Sequence, residues 1–173
     1  MSQTVLITGA SRGIGAETAR RFAAGGYQVA VNYFQSKDAA FALCDELGNG
    51  AFPVCGDVSD PAQVSAMADT VLERFGHLDV LVCNAGIAQQ KLFTDITPAE
   101  WQRMLDVNLS GAFHLCQLAL PGMIRRKHPK GTDFATIPAS TLKKTEEWIN
   151  NYPRKIFNFH TAAEVFEACM NSL

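Results

Sequence analysis

Four short runs of β-forming residues alternate with stretches of helical spacing, and this alternation narrows the possible folds more than any other feature of the chain. The runs are Val5-Leu6-Ile7, Tyr27-Gln28-Val29-Ala30-Val31, Phe52-Pro53-Val54-Cys55 and Asp79-Val80-Leu81-Val82-Cys83. Between them lie helical patterns from Ala16 to Ala24, from Ser36 (as N-cap) to Leu47, and onward from Asp60. The last has Pro61 at its first position and Val64, Met67, Ala68, Val71 and Leu72 on one face. Repeated strand–helix–strand units need crossover connections, so a parallel sheet with helices on its faces is expected. The fourth run has little polar alternation, which predicts a strand covered on both faces. A further helical region starts at Pro98 with Thr97 as its cap, breaks near Asn108 and runs towards Arg126. Pro121 removes a backbone donor within it and predicts a kink or a stop.

With 173 residues, 47% of them hydrophobic, the chain can bury one good core. A net charge of −2 gives no electrostatic reason to expect a nucleic-acid or anionic-membrane partner. The five cysteines are scattered and form no Cys-x-x-Cys pair, so neither a disulfide framework nor a zinc site is indicated. No apolar run approaches the ~20 residues of a membrane span, and no export signal opens the sequence. A soluble protein of a reducing cytoplasm is the expectation.

The chemistry concentrates after the strands. TGASRGIG, Thr8 to Gly15, places glycines at 9, 13 and 15 between the first strand and its helix. Glycines there permit a tight turn and close approach of backbone to phosphate. The helix N-terminus adds unpaired N–H groups and a positive dipole end for a pyrophosphate. Gly9, Ser11, Arg12, Gly13, Ile14 and Gly15 are therefore candidate dinucleotide-binding residues. An acidic residue at the end of the second strand would hold a ribose 2′-hydroxyl, but the chain reads Asn32-Tyr33-Phe34-Gln35-Ser36. With Asn32 and Ser36 there and Arg12 in the glycine turn to pair with a 2′-phosphate, NADP(H) is favoured over NAD. The alternative leaves Arg12 as a solvated loop residue and Asn32 as a turn former.

TGASRGIG, GDVSD at 56 to 60, CNAGI at 83 to 87 and DVNLSGAF at 106 to 113 occur in register, and residues 3 to 128 resemble the classical short-chain dehydrogenase/reductase family. Within it they are most similar to 3-oxoacyl-carrier-protein reductases. The resemblance implies that Asp57 and Val58 contact adenine and that Asn84, Ala85 and Gly86 line the adenosine ribose. It makes Asn108 the asparagine of a catalytic tetrad, which bends a helix and holds a water. Taken singly, Asp57 reads equally as a strand-end cap, Asn84-Ala85-Gly86 as a turn and Asn108 as a helix breaker; together they favour the family.

The family's proton donor is a tyrosine whose pKa is lowered by a lysine at i+4, assisted by an upstream serine. These would follow a fifth strand after residue 128, and that strand is not found. Ser140, Tyr152 and Lys155 stand in the right order, but Lys155 is at i+3 and Pro153 biases Tyr152 away from the helical region. Instead HPKGTDF, TLKKTEEWINNYPRKIF and HTAAEVFEACM resemble the C-terminal end of DDE-class insertion-sequence transposases. That family's metal-holding acids lie upstream of this part, so no DNA activity is implied. Read physically, the tail has a helix from about Ser140 to Asn151 and a second from Thr161 to Met170.

The expectation is thus an α/β protein: a truncated Rossmann-type, doubly wound parallel sheet of about four strands over residues 1–128, with a small helical tail over 129–173. In the family's strand order the fourth strand becomes an exposed edge. A partial NADP(H) site with no catalytic centre follows, and the protein is expected to bind a dinucleotide without turnover.

Overall fold

The structure, a computed structural model, describes residues 2–127 together with Ser140 and Lys143. The chain divides into two units, Met1–Pro129 and Lys130–Leu173. In the second, Ser140 and Lys143 are helical and exposed. The expected helix from Thr161 to Met170 and the positions of Tyr152 and Lys155 lie outside the described residues.

In the first unit β1 (Thr4–Ile7), β2 (Gln28–Tyr33), β3 (Phe52–Cys55) and β4 (Val80–Val82) form one sheet in the order β3-β2-β1-β4. Every pairing is parallel: Val5 stands opposite Val29 on one side and opposite Val80 on the other, and Ala30 opposite Phe52. Parallel neighbours need crossovers, supplied by α1 (Gly13–Ala24), α2 (Lys37–Leu47) and α3 (Pro61–Phe75). After β4 come a 3₁₀ turn at Phe93–Asp95, α4 (Pro98–Leu105), a π-helical stretch at Asp106–Ser110 and α5 (Gly111–Lys127).

Side chains alternate across the sheet and build two apolar layers. Val5, Ile7, Val29 and Val31 face α1 and α2 and pack on Ala16, Ala19, Ala40 and Leu43. Leu6, Ala30 and Val54 face the other way, onto Val64, Met67 and Val71 of α3 and Leu115 of α5. The sheet is covered on both sides, which explains why β1 is buried at every residue. Of the expected apolar face of α3, Leu72 is the outlier and remains exposed.

Three differences from the sequence reading have physical causes. β4 is half-buried at each residue rather than fully covered, because among the described residues only β1 pairs with it. α5 runs through Pro121 without stopping. Before Pro121, Leu115 and Ala119 pack in the same core as α3, and beyond it Arg126 Nε lies 3.1 Å from Asp79 Oδ1, so tertiary contacts on both sides offset one lost backbone bond. The break near Asn108 takes the form of the π-helical stretch, where one extra residue per turn bends the axis while the helix continues.

Candidate functional site

The direction of winding reverses at β1, whose chain successors β2 and β3 lie on one side and β4 on the other. Such a reversal opens a crevice beyond the carboxyl ends of the central strands. Here the crevice measures about 420 Å³. It is lined by all the expected cofactor residues except Ile14 and Gly15: Gly9, Ser11, Arg12 and Gly13 from the first turn, Asn32 and Ser36 at the end of β2, Asp57 and Val58 after β3, and Asn84, Ala85 and Gly86 after β4.

The first turn is shaped by what its glycines allow. Gly9 and Gly13 have φ of 60° and 58°, in the left-handed region. Gly15 has ordinary φ but no room: a Cβ there would lie 2.6 Å from Gly9 O and 2.5 Å from Asn84 Nδ2. The turn delivers the chain into α1, whose N-cap Arg12 makes no side-chain cap bond and whose first turn holds no acid. By contrast Asp60 caps α3 through the Ala62 and Gln63 N–H groups, and Thr97 and Glu100 form a full capping box on α4. The N–H groups at the start of α1 thus have no side-chain cap among the described residues. Ile14, in that turn, is 80% exposed.

Asn32, which lines the crevice, also binds backbone on both sides of it. Asn32 is 2% exposed and its amide is committed to backbone: Oδ1 accepts from Gly9 N–H at 3.1 Å, and Nδ2 donates to Gly56 O at 3.1 Å and Val54 O at 3.3 Å. It braces the glycine turn against the end of β3. Arg12 is exposed and, among the described residues, its side chain has no hydrogen-bond or ion-pair partner. Ser36 stands at the N-cap of α2 as expected, but its hydroxyl makes no cap bond.

On the other side, Thr8 is a residue that the sequence reading left unassigned. Its buried hydroxyl donates to Val82 O and accepts from the N–H groups of Asn84 and Ala85, both at 3.0 Å. Asn84 Nδ2 returns two bonds, to Thr8 O at 2.9 Å and Gly9 O at 3.1 Å. The ends of β1 and β4 are laced together, and the Asn84-Ala85-Gly86 turn lies along the crevice wall. Asn108, outside the lining, clasps Ile87 with two bonds of 2.9 Å, one from Ile87 N–H to Oδ1 and one from Nδ2 to Ile87 O.

Asp57 accepts from Ser59 N–H at 3.0 Å, from Ser59 Oγ at 2.7 Å and from Arg103 Nη2 at 2.8 Å. Burial opposes its ionisation, yet the Ser59 and Arg103 donors together outweigh burial and hold the carboxyl below its usual range. Arg103, on α4, also lines the crevice and carried no signal in the sequence beyond its charge.

No tyrosine with a lysine one helical turn on is found among the described residues. Tyr33 and Lys37 have the i+4 spacing, but Tyr33 ends β2 and Lys37 starts α2, so no helical turn joins them. Lys37 Nζ sits over the Phe41 ring, and burial, followed by the neighbouring Cys55, pushes the Tyr33 phenol up rather than down. Tyr27 packs edge-on against Phe22. Among the described residues no group of three or more His, Cys, Asp or Glu side chains is placed to hold a metal ion.

Comparison with known proteins agrees with this architecture. Residues 3–132 match the family model of the short chain dehydrogenases. The chain is 43% identical over 130 residues to a 3-oxoacyl-[acyl-carrier-protein] reductase FabG of Staphylococcus aureus, covering 73% of this chain and 53% of that protein. It is 39% identical over 130 residues to 3beta-hydroxysteroid dehydrogenase 1 of Eggerthella lenta, covering 73% and 50%. The chain thus spans about half the length of these relatives. A blue fluorescent protein from a metagenomic library, solved in complex with NADPH, is similar in structure with a TM-score of 0.67 and 36% identity, over 70% of this chain and 51% of that one. The parallel sheet, the glycine turn into α1 and these matches agree: the chain belongs to the short-chain dehydrogenase family.

Proposed function

We propose that this chain binds NADP(H) in the crevice between β1, β2 and β4, as a short-chain dehydrogenase related to the 3-oxoacyl-carrier-protein reductases, and that the 173-residue chain does not turn the cofactor over. The observation that carries the reading is the start of α1 without a side-chain cap, opening into a crevice beside Arg12, whose side chain has no partner among the described residues. Pyrophosphate supplies the charge that those N–H groups and the helix dipole lack. A 2′-phosphate supplies a partner for the guanidinium, while the inward-turned Asn32 presents no carboxylate to repel it. Asp57 and Val58 take the adenine, and Asn84 to Gly86 the ribose beside it. When bound, the nicotinamide group supplies hydride chemistry. What this chain contributes is binding and orientation of the adenosine end.

The proposed absence of turnover rests on there being no tyrosine with a lysine one helical turn on among the described residues, and on residues 133–173, which lie beyond the family match. On this reading residues 1–128 are a partial dinucleotide-binding domain and 129–173 a separate, transposase-like tail without DNA activity. Calorimetric titration with NADPH and NADH, followed by nicotinamide absorbance with an activated β-keto ester, tests both statements. Binding of NADPH without oxidation is expected. Arg12→Gln should cost NADPH about 10- to 100-fold in affinity, the worth of one charge-assisted bond at about 1.5–3 kcal/mol, and leave NADH nearly unchanged. Absence of NADPH binding overturns the site; steady substrate-dependent oxidation overturns the claim of inactivity.

A further inference from the structure

Asp57, Ser59 and Arg103 close a ring of hydrogen bonds whose accounting leaves one position open. An ionised carboxylate offers about four acceptor positions. On Asp57, Oδ1 is filled twice, by the Ser59 N–H and by the Ser59 hydroxyl. Oδ2 is filled once, by Arg103 Nη2 at 2.8 Å. The Ser59 hydroxyl, having given its proton to Asp57, accepts from Arg103 Nη1. The unfilled acceptor is on Oδ2 of a residue that lines the crevice, next to Val58 and Arg103, which line it too.

Arg103 alone in this ring comes from a distant element. It stands on α4, ahead of the π-helical stretch that carries Asn108. Its side chain is 46% exposed, against 12% for Asp57, so the pair is a poor device for stability: exposed ion pairs contribute little. The benefit falls on the less exposed partner, whose carboxylate is kept in one rotation.

We infer that Arg103 is a positioning residue for base recognition, fixing Asp57 so that its one remaining acceptor selects a purine that offers an amino group over one that offers a keto oxygen. This rests on the dinucleotide reading of the crevice. An exocyclic amine donates to Oδ2, whereas a keto oxygen at the same place meets a carboxylate lone pair and gains nothing. Without Arg103 only Ser59 offsets the desolvation of Asp57. The carboxyl, held then only through Oδ1, takes up a proton more readily, and a protonated carboxyl both donates and accepts, so it no longer discriminates.

The test titrates wild type, Arg103→Gln and Arg103→Lys with NADPH and with its hypoxanthine analogue, which carries oxygen in place of the adenine amino group, between about pH 5 and pH 8. Wild type should prefer NADPH by about tenfold or more. Arg103→Gln should weaken NADPH by about tenfold, leave the analogue unchanged, collapse the ratio, and move the acid limit of NADPH binding to higher pH. Arg103→Lys, which restores a charge without the fork, should recover part of the ratio. If Arg103→Gln keeps the wild-type ratio, or weakens both ligands together with no change in pH profile, Arg103 is only a brace and the inference fails. A wild type that binds both ligands equally overturns this inference alone, and one that binds neither overturns the dinucleotide reading as well.

Discussion

Replacing Gly15 by alanine tests whether the glycine turn is set by packing rather than by backbone conformation. The added Cβ would lie 2.5 Å from Asn84 Nδ2, 2.6 Å from Gly9 O and 2.8 Å from Ala10 Cα. The first contact is with the end of a side chain and can be relieved, at the expense of the Asn84 bonds to Thr8 O and Gly9 O. The other two are with backbone and require the turn itself to shift. Overpacking of this kind costs about 1–3 kcal/mol, and two hydrogen bonds about 1 kcal/mol each, so Gly15→Ala should destabilise by about 3–5 kcal/mol. Gly13→Ala is the control. Its Cβ meets nothing within 4 Å, and only its φ of 58° is penalised, at about 1–2 kcal/mol. Urea unfolding of the three proteins reads the difference directly. Pairing Gly15→Ala with Asn84→Ala should give less than the sum of the two single losses, because the Asn84 bonds are counted in both. A Gly15→Ala protein as stable as Gly13→Ala, or strict additivity with Asn84→Ala, would refute the packing argument.

Two further outcomes follow from the same geometry. Asn32→Asp, the change that a strand-end rule would choose to turn the site towards NAD, should destabilise by about 2–4 kcal/mol. It replaces an N–H donor by an oxygen facing Val54 O and Gly56 O, and NADH affinity should not rise; urea midpoints and calorimetry check this. Glu100 is held down to about 2 by Lys91 first, then by the Thr97 N–H and hydroxyl and by Gln89. Its folded-state pKa lies below the unfolded value, so its contribution is present above the ordinary carboxyl range and is lost as pH falls towards about 2. The urea midpoint of wild type should therefore exceed that of Glu100→Gln at neutral pH, with the gap closing near pH 2; a gap that is the same at both ends contradicts the assignment.

Much of this molecule is written locally. β3 begins and ends where its apolar run does, and α3 starts at Pro61 after Asp60 because a cap and a proline act within a few residues. The glycine turn is legible for the same reason. What escaped depends on residues far apart in the chain. That the Asn32 amide bonds Gly9, Val54 and Gly56 could not be read from its place near the end of a strand. Arg103 lies 46 positions from Asp57, and no pattern within α4 announces their contact. Pro121 shows the converse: a strong local signal against helix did not stop α5, which has Leu115 and Ala119 in the core before it and the Arg126–Asp79 pair after it.

The clasp between Asn108 and Ile87 has a consequence for the segment that follows β4. A carboxamide that accepts from a residue's N–H and donates to the same residue's C=O does for that residue what a neighbouring strand would do. Asn108 is in effect a ladder of one rung, built from a side chain. The irregular run after Val82, laced to Thr8 at Asn84 and Ala85, is moored again at Ile87. The Ile87 amide should exchange with solvent more slowly than those of Gly86 and Ala88.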